Sequence, residues 1–523
     1  MSRLAAIAIF SAWAALLSAP SQAQPAPDAA KLFVEHCAQC HGADRLGATG
    51  PALIPDTMAR LRAAEAVAVI GEGRAQTQMP AFADRLSRAE IEALAAHVRA
   101  PLAETPRWGL EEMQRTHVLS RARETLPAKP SYDADPLNLF IVVEAGDSHV
   151  TVLDGDRLEP IARFPSRFAL HGGPKFSPDG RFVYFASRDG WITKYDLYAL
   201  DVVAEIRAGI NTRNLAISAD GKVVIVGNYL PHSAVLLSAD DLRPIRLIEA
   251  KDRAGKSSSR VSAVYQAQPR NSFIVALKDI PELWEISWLE NPPPVYAGLV
   301  HSHEPGMIEG MAERGPFPIR RIPLSQPLDD FFFDPAYRNL LGSARDGGKA
   351  VVVNLDVGRE IAEVPMPGLP HLGSGITWMR DGQPVMASPN LKEGVISVID
   401  MKNWRLTDRI ATLGPGFFLR SHENTRYAWV DAGFSRDKDA LQIVDKQTLA
   451  VVRTLRPSPG QSASHVEFSR DGKYALVSIA EQDGALVVMN AETFAEVKRL
   501  PMRKPSGKYN VFNKITRSEG TSH

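Results

Sequence analysis

The sequence predicts a multi-domain fold in which a small all-α domain is followed by an all-β eight-bladed propeller. Helical patterns lie in the first part of the chain, and from Leu139 onward they give way to short apolar runs with a period of two. These runs recur at a spacing typical of propeller blades, and Asp-Gly turns separate many of them. A length of 523 residues is too great for one small module and agrees with two domains, one of them a large propeller.

The composition excludes several classes of protein. Lys plus Arg and Asp plus Glu both number 60, so the formal net charge is zero, and no run of five or six like charges occurs. We therefore expect no nucleic acid partner and no basic membrane-binding surface. A hydrophobic content of 45% is enough to build a large core and argues against global disorder. Both cysteines belong to one motif, which argues against a disulfide scaffold.

Residues 1–23 have the layout of a secretory signal peptide. Arg3 supplies the positive start, residues 4–17 the apolar stretch and Ser21-Gln22-Ala23 a cleavage site between small residues. The alternative is a membrane anchor, but the apolar stretch is shorter than the roughly 20 residues that span a bilayer, and a Pro-rich polar segment follows it at once. We expect cleavage, and a mature chain that begins near Gln24 and has no membrane span.

The motif Cys37-Ala38-Gln39-Cys40-His41 has the C-x-x-C-H pattern that attaches a c-type haem. Two thiols one helical turn apart bond covalently to the porphyrin vinyl groups, and the adjacent His41 is placed to ligate the iron. A thioredoxin-like redox pair is the alternative, but such a pair needs no histidine and lies in a βαβ context that residues 29–43 do not show. The sequence therefore predicts one covalent haem c, and this attachment in an exported chain indicates the bacterial periplasm.

Met79 is the candidate for the second axial ligand of this iron. It lies 38 residues after His41, in a loop between two helical patterns, although a methionine can also simply fill the core. The segment Gly50-Pro51-Ala52-Leu53 resembles the loop that packs against the proximal histidine in small c-type cytochromes. A final helix opens with a Ser87-Arg88-Ala89-Glu90 capping box. Residues 28–101 are therefore expected to form a cytochrome c domain, and His/Met ligation raises the potential of its haem.

Residues 102–136 are interpreted as a Pro-punctuated linker and residues 137–523 as the propeller. Eight apolar runs that end in a polar residue define the repeat, namely 150–154, 192–196, 234–238, 283–287, 350–354, 396–400, 441–445 and 486–490. Their intervals of 42, 42, 49, 67, 46, 45 and 45 residues fit four-stranded blades, and the long interval places an insertion within residues 291–323. Ser-x-Asp-Gly turns that start at Ser177, Ser218 and Ser469 mark the hairpin between the first two strands of a blade.

Four polar residues occupy an equivalent position in different blades: His171, Arg213, His371 and His465. Each stands near the start of an innermost strand, at the end of the central channel opposite the Ser-x-Asp-Gly turns. Most propellers of this type are interaction platforms. Three histidines that converge on one cavity instead indicate a bound metal centre. Tyr229 lies in a hairpin on the same face and is a weaker candidate.

Three further histidines are assigned no role in the site. His422 falls in the turn position itself, within Ser421-His422-Glu423-Asn424, and is expected to be solvated. His301 and His303 lie in the insertion, where we expect a surface loop more than a lid.

The order of a signal peptide, a cytochrome c domain and an eight-bladed propeller with a histidine-containing channel resembles the cytochrome cd1 family. The likeness covers nearly the whole mature chain. The matching segments are Phe168-Ala169-Leu170-His171, Arg188-Asp189-Gly190-Trp191-Ile192, Tyr195-Asp196-Leu197, Gly209-Ile210-Asn211-Thr212-Arg213, Pro370-His371 and Ser506-Gly507-Lys508-Tyr509-Asn510-Val511. The resemblance implies a bound haem d1 with His171 as the proximal iron ligand and Arg213 against the carboxylates of this tetrapyrrole.

Within that family, the resemblance favours the dihydro-haem d1 dehydrogenases over the nitrite reductases. The reductases use two distal histidines to protonate nitrite. His371 matches one of them, but the other position reads Leu328-Asp329-Asp330, and His465 is extra. The dehydrogenase reaction oxidises one propionate of dihydro-haem d1 to the acrylate of haem d1, the last step in the synthesis of that cofactor. The alternatives are a nitric oxide-forming nitrite reductase and a non-catalytic haem d1 carrier.

The resemblance also implies roles for the residues of the site. His171 or His371 is expected to ligate the iron of the tetrapyrrole, and Arg213 to hold a carboxylate. His465 or the pair Asp329-Asp330 is expected to accept a proton from the propionate carbon chain. Electrons pass to haem c and then to a periplasmic acceptor such as a small cytochrome or a cupredoxin, and a cytochrome cd1 nitrite reductase could receive the finished haem d1.

Overall fold

The computed structural model describes residues 26–48, 50–58, 61–73, 79–104, 106–170, 172–297, 311–344 and 348–516. The expected signal peptide, His171, His301 and His303 lie outside the described residues. Within these ranges no helix has the length and apolar character needed to cross a membrane.

The first part of the described chain is all-α, as predicted. Its helices are α1 (Ala29–His36), α2 (Ala38–His41), α3 (Pro55–Met58), α4 (Ala63–Glu72) and α5 (Arg88–Arg99). The predicted capping box is confirmed at the start of α5, because the Glu90 amide donates to Ser87 Oγ at 3.3 Å and the Ser87 amide donates to Glu90 Oε2 at 2.8 Å. Phe33, Ile91 and Leu94 lie in the buried core of this domain.

The rest of the described chain contains the predicted propeller with eight blades, each a sheet built on four antiparallel strands. From the innermost strand outward, blade 1 contains Pro505–Asn510, Leu139–Glu144, His149–Asp154 and Glu159–Pro165; blade 2 Lys175–Phe176, Phe182–Ala186, Trp191–Asp196 and Asp201–Arg207; blade 3 Asn211–Ile217, Val223–Leu230, Ser233–Ser238 and Pro244–Glu249; blade 4 Val261–Ala267, Ser272–Leu277, Glu282–Ser287 and Ile319–Pro323. Blade 5 contains Asp330–Phe333, Asn339–Ser343, Lys349–Asn354 and Arg359–Pro365; blade 6 Ile376–Arg380, Gln383–Pro389, Val395–Asp400 and Arg405–Ala411; blade 7 Leu419–Arg420, Tyr427–Asp431, Leu441–Asp445 and Val451–Leu455; blade 8 Ala463–Phe468, Tyr474–Ile479, Gly484–Asn490 and Glu496–Met502.

A few short elements accompany the blades. They are the helices α6 (Leu110–Thr116) and α7 (Val511–Thr516), and the 3-10 turns Arg123–Thr125, Pro136–Asn138, Gln268–Arg270 and Leu372–Ser374. The strands Val295–Ala297 and Met311–Glu313 pair within the predicted insertion between the third and fourth strands of blade 4.

The predicted position of the eight runs within their blades is confirmed. All eight runs identified in the sequence are the third strands of their blades, and the Ser-x-Asp-Gly turns connect the first two strands of blades 2, 3 and 8. Each turn ends in a glycine with φ between +70° and +74°, a conformation that an L side chain adopts only with strain. The last strand, Pro505–Asn510, pairs with Leu139–Glu144, so the end of the described chain closes the ring.

The cytochrome-like domain docks on blades 2 and 3. Helix α6 precedes a short strand, Val118–Leu119, which pairs with the outer strand of blade 2. Arg207, at the end of that outer strand, donates to the carbonyl oxygens of Leu46 and Gly47, and its own carbonyl accepts from Trp108 Nε1 at 2.9 Å. An apolar cluster that includes Ala52, Ile54, Ile210 and Leu230 covers the same junction. The small domain therefore lies on the face of the propeller opposite the Ser-x-Asp-Gly turns.

Candidate functional site

The first candidate site is a cavity of about 520 Å³ between the small domain and the propeller. Cys37, Cys40, His41 and Met79 all line it. Nδ1 of His41 lies 2.8 Å from the carbonyl oxygen of Pro51, as the resemblance to cytochrome loops predicts. A proton on Nδ1 leaves the lone pair of Nε2 available to a metal. The site residues predicted for haem c are therefore together in one cavity.

The close approach of Gly50 keeps His41 in place. A Cβ atom on Gly50 would lie 2.9 Å from Cε1 and 3.0 Å from Nδ1 of the His41 ring. Any side chain there would push the imidazole out of its hydrogen bond with Pro51. Burial lowers the pKa of His41, which favours the neutral ring that a metal requires.

The thiols of the motif do not have the character of a redox pair. Burial, together with the neighbouring Cys40, raises the pKa of the Cys37 thiol to about 11. Reactive cysteines of the thioredoxin type have lowered pKa values because the thiolate is the nucleophile. Two cysteine thiols, a histidine whose Nε2 lone pair can face a metal and a methionine sulfur fit a covalently attached iron porphyrin with His/Met ligation.

The second candidate site is a cavity of about 260 Å³ in the centre of the propeller. Four of the predicted site residues line it: Arg213, Asp330, His371 and His465. His171 lies outside the described residues, but its neighbours Leu170 and Gly172 line the same cavity. The innermost strands begin at this end of the channel, which is also the end that the small domain covers.

One stretch of chain reaches both cavities. Ser166, Arg167 and Phe168 line the cavity of the small domain, whereas Leu170 and residues 172–175 line the central cavity. Arg167 fixes this connection, because its Nε donates to Glu205 Oε1 at 2.9 Å and its guanidinium lies 3.8 Å from the centre of the Trp191 ring. The short connection between blades 1 and 2 therefore contributes residues to both cavities.

One ring nitrogen of His371 contacts the protein backbone. Its Nδ1 lies 2.7 Å from the carbonyl oxygen of Phe417, and the two rings are 4.2 Å apart. Burial lowers the pKa of His371, although the nearby Asp330 opposes this shift. The ring is therefore neutral near pH 7, and Nε2 is available as an iron ligand.

His465 also lines this cavity and is buried. Its φ angle is +46°, in the left-handed region, and the pairing of its strand with Tyr474–Ile479 is interrupted between Ser464 and Glu467. Its ring contacts Phe418 at 4.4 Å and Tyr509 at 5.1 Å. Burial and the nearby cation of Lys508 lower the pKa of His465 well below its usual value. The strained backbone thus presents a neutral imidazole to the cavity, as a proton acceptor requires.

The side chains of Asp329 and Asp330 lie in different surroundings. Asp330 lines the cavity, where Oδ1 accepts from the Tyr265 hydroxyl at 2.9 Å and Oδ2 from the Gly373 amide at 2.8 Å. Asp329 forms an ion pair with Lys278 instead, outside the cavity lining. Successive residues of a strand point in opposite directions, which separates the two carboxylates.

Tyr229 also lies outside the cavity lining. The ammonium of Lys278 stands 5.8 Å from the centre of the Tyr229 ring, and the guanidinium of Arg260 stands 5.6 Å from it. Tyr229 and Asp329 thus share a polar cluster on blades 3 to 5 that is separate from the central cavity.

Several residues of the cavity were missed by sequence reasoning. They are Lys175, Tyr265, Phe417, Phe418, Arg420, Tyr509 and Lys514. Phe418 and Arg420 lie at the start of blade 7, which has no Ser-x-Asp-Gly turn from which to count. With Arg213, the cavity holds four cationic side chains and a wall of aromatic rings. This combination fits a flat ligand with several carboxylates.

The expectation for His422 is wrong. His422 is fully buried, and its Nδ1 accepts from the Asn424 amide at 3.1 Å. It packs under the turn that ends at Gly472, where a Cβ atom would lie 2.6 Å from His422 Nδ1. The turn of blade 7 thus rests on the turn of blade 8, which excludes water from this histidine.

No group of three or more His, Cys, Asp or Glu side chains in the described ranges could hold a bare metal ion. The cavity histidines that the structure describes, His371 and His465, are therefore not arranged as ligands of one ion. An iron already held by four nitrogens of a macrocycle needs only one or two axial ligands from the protein.

Comparison with known proteins agrees with this arrangement. Residues 134–303 and 307–514 match the family described as cytochrome D1 heme domain. Residues 24–98 match the family described as cytochrome C oxidase, cbb3-type, subunit III.

Three curated relatives are similar over most of the chain. A protein of Pseudomonas aeruginosa named dihydro-heme d1 dehydrogenase is 54% identical over 508 residues, which are 97% of this chain and 98% of the relative. Protein NirF of the same species is 29% identical over 384 residues, or 71% of this chain and 90% of the relative. A nitrite reductase of Stutzerimonas stutzeri is 23% identical over 568 aligned positions, or 98% of this chain and 97% of the relative.

A solved structure is similar as well. The structure described as dihydro-heme d1 dehydrogenase NirN in complex with DHE superposes with a TM-score of 0.85 at 54% identity, and covers 93% of this chain and 99% of that chain. The match to the cytochrome D1 heme domain spans well over half of the sequence. The chain therefore belongs to the cytochrome cd1 family.

Proposed function

We propose that this protein is a dihydro-haem d1 dehydrogenase, which oxidises one propionate of dihydro-haem d1 to acrylate in the last step of haem d1 synthesis. The observation that carries the proposal is the buried, neutral His465 in a cationic cavity next to a covalent haem c site. The identity of 54% with a relative of that name supports it. Residues 28–101 supply the haem c domain, residues 102–136 the linker and residues 137–523 the domain that binds the substrate.

Residues that line the central cavity bind the substrate in this proposal. Arg213 and Arg420 bind carboxylates of the substrate by charge-assisted hydrogen bonds, and Phe417 and Phe418 pack on its apolar faces. His371 or His171 ligates the substrate iron.

His465 takes a proton from the propionate carbon chain. Asp330 does not serve as the base, because donors occupy both of its oxygens; it orients the loop that follows His371. We therefore assign the role of proton acceptor to His465 and not to the pair Asp329-Asp330. When bound to Cys37, Cys40, His41 and Met79, haem c supplies a one-electron acceptor that takes up the two electrons in turn.

The setting of the reaction follows from the sequence. The signal-like segment 1–23 and the haem attachment motif support a periplasmic location. In that compartment a small cytochrome or a cupredoxin takes the electrons from haem c, and a cytochrome cd1 nitrite reductase receives the finished haem d1.

An anaerobic reaction of the purified, haem c-loaded protein with dihydro-haem d1 tests the proposal. We expect the haem c bands to become reduced and the product to be lighter by two hydrogen atoms in mass spectrometry. Binding without reduction of haem c would indicate a carrier instead. Conversion of nitrite to nitric oxide by the protein loaded with haem d1 would indicate a nitrite reductase.

A further inference from the structure

Next to the central cavity, the propeller has a second cavity of about 200 Å³, which lies between the innermost strands of blades 2 to 4 and helix α7. It reaches the face of the Ser-x-Asp-Gly turns, since Pro178 and Ala219 of two such turns line it. Four residues line both cavities: Pro174, Lys175, Tyr265 and Lys514. The two cavities are therefore adjacent, and Lys514 lines both of them.

A buried carboxylate, Glu467, pairs with Lys514 at this junction and lies two residues after His465 in the same strand. Glu467 is 1% exposed, and its Oε2 lies 3.2 Å from Nζ of Lys514. Within the described residues, Nδ1 of His465 has no hydrogen-bond partner, and Oε2 of Glu467 has its ion pair with Lys514 but no hydrogen bond. These atoms are buried and polar, and the binding roles assigned so far do not use them.

Charged and titratable groups surround Glu467 on every side. Arg420 and His422 face it from blade 7, Lys508 and Tyr509 from blade 1, and Lys514 from helix α7. Asn513 of the same helix donates to its Oε1 at 3.4 Å. Arg420 keeps its proton at any working pH. Burial lowers the pKa of Lys514, so this ammonium gives up its proton more readily than a solvated lysine does.

The proposed reaction needs a route for protons, and the present inference rests on that proposed function. Two C–H bonds of the propionate break, one C=C bond forms, two electrons leave for haem c and two protons must reach water. The electrons leave on the side of the small domain. A flat macrocycle bound across the central cavity covers the opening on that side, which leaves the second cavity as the open end of the channel.

We propose that Glu467 and Lys514 carry protons from His465 to the second cavity, so that protons and electrons leave the propeller through opposite faces. Lys514 releases a proton to water in the second cavity. The carboxylate of Glu467 takes the proton that His465 received from the substrate and passes it to the neutral amine of Lys514. Each cycle moves one proton and returns all three groups to their starting state.

The variant Lys514→Arg separates proton transfer from charge. Arginine preserves the ion pair with Glu467 but does not release its proton. Rapid mixing with dihydro-haem d1 would follow haem c reduction optically and proton release with a pH-sensitive dye, in water and in heavy water. We expect unchanged affinity, at least tenfold slower haem c reduction and a larger solvent isotope effect. The control Glu423→Gln removes an exposed carboxylate and is expected to behave as wild type. Wild-type rates in Lys514→Arg would overturn the proposal.

A second variant decides the case in which Lys514→Arg binds no substrate. Ala219→Trp fills the second cavity and keeps the side chains of Glu467 and Lys514 chemically unchanged, and we expect it to slow proton release and haem c reduction at least tenfold. An unchanged rate in Ala219→Trp would overturn the proposal. If the wild-type protein itself leaves haem c oxidised, the proposed function fails. If the wild type reduces haem c and the variants match it, only the proton route fails.

Discussion

The hydroxyl of Tyr265 donates a hydrogen bond to Oδ1 of Asp330 over 2.9 Å and thereby joins the innermost strands of blades 4 and 5 inside the central cavity. The second oxygen of Asp330 accepts from the amide of Gly373, in the turn that follows His371. One carboxylate thus connects three blades at the point where the substrate is expected to bind.

Replacement of this carboxylate should therefore weaken both the fold and the site. In Asp330→Ala the Tyr265 hydroxyl and the Gly373 amide lose their acceptor, at a cost of about 1–3 kcal/mol each. We expect a lower thermal midpoint and at least tenfold weaker binding of haem d1, measured by optical titration. Asp329→Ala is the matched control, because Asp329 lies outside the cavity lining, and it should bind haem d1 as wild type. Wild-type affinity in Asp330→Ala would contradict this role.

Replacement of His465, the proposed base, should slow turnover and leave the binding of haem d1 intact. In His465→Ala we expect single-turnover reduction of haem c by dihydro-haem d1 to slow by roughly 100- to 10,000-fold, the usual contribution of a positioned base. The same variant should still bind haem d1 in an optical titration. His422→Ala removes an equally buried histidine that lies outside the cavity lining, and it should turn over normally where it folds. Full activity of His465→Ala would assign the base elsewhere.

The guanidinium of Arg213 should contribute to the binding of haem d1 through its planar shape as well as its charge. Arg213→Ala is expected to weaken haem d1 binding about 10- to 100-fold, and Arg213→Lys to restore only part of the loss, since an ammonium lacks the planar fork that pairs with a carboxylate. Arg163→Ala, which breaks a pair with Glu144 outside the cavity lining, is the control. Equal affinities of Arg213→Lys and wild type would show that charge alone suffices.

Acid should destabilise the propeller through its buried histidines. The pKa values of His371, His422 and His465 are lowered by burial. The unfolded chain, with histidine pKa values near 6.5, therefore binds more protons than the folded chain, so stability is present above about pH 6.5 and is lost as the pH falls below it. We expect the thermal midpoint and the free energy of unfolding to fall as the pH is lowered from 7.5 to 5.5. In His422→Asn the free energy of unfolding should fall less steeply, by up to about 1.4 kcal/mol per pH unit. An equal slope in the variant would refute the assignment.

The sulfur of Met79 should set the potential of haem c. Met79→Leu preserves the volume of the side chain and removes the ligand, so we expect the reduction potential to fall on the order of 100 mV in a redox titration. Met58→Leu makes the same change in a core methionine of the same domain that does not line the cavity, and its potential should remain that of the wild type. A potential unchanged in Met79→Leu would mean that another group ligates the iron.

Local patterns account for what the sequence could predict. The C-x-x-C-H motif, the capping box and the eight third strands are each encoded in a few neighbouring residues, and all were placed correctly. The channel residues near Ser-x-Asp-Gly turns were found because those turns fix the phase of the innermost strand. Tyr265 and Arg420 were missed because blades 4 and 7 lack such a turn, and the separation of Asp329 from Asp330 depends on the direction of a single strand. His422 was misplaced because its burial comes from contact with a different blade.

The closure of blade 1 by the strand Pro505–Asn510 has a consequence for the order of assembly. Ser506 hydrogen-bonds to Val143, 363 positions earlier in the chain, and Ser506, Tyr509 and Lys514 all belong to the central cavity. Contacts between such distant positions form late, since a long loop must first be closed. A nascent chain that lacks this final strand has an open ring and an incomplete binding chamber, so loading with tetrapyrrole can begin only after synthesis of the polypeptide has passed blade 8 and reached Pro505–Asn510.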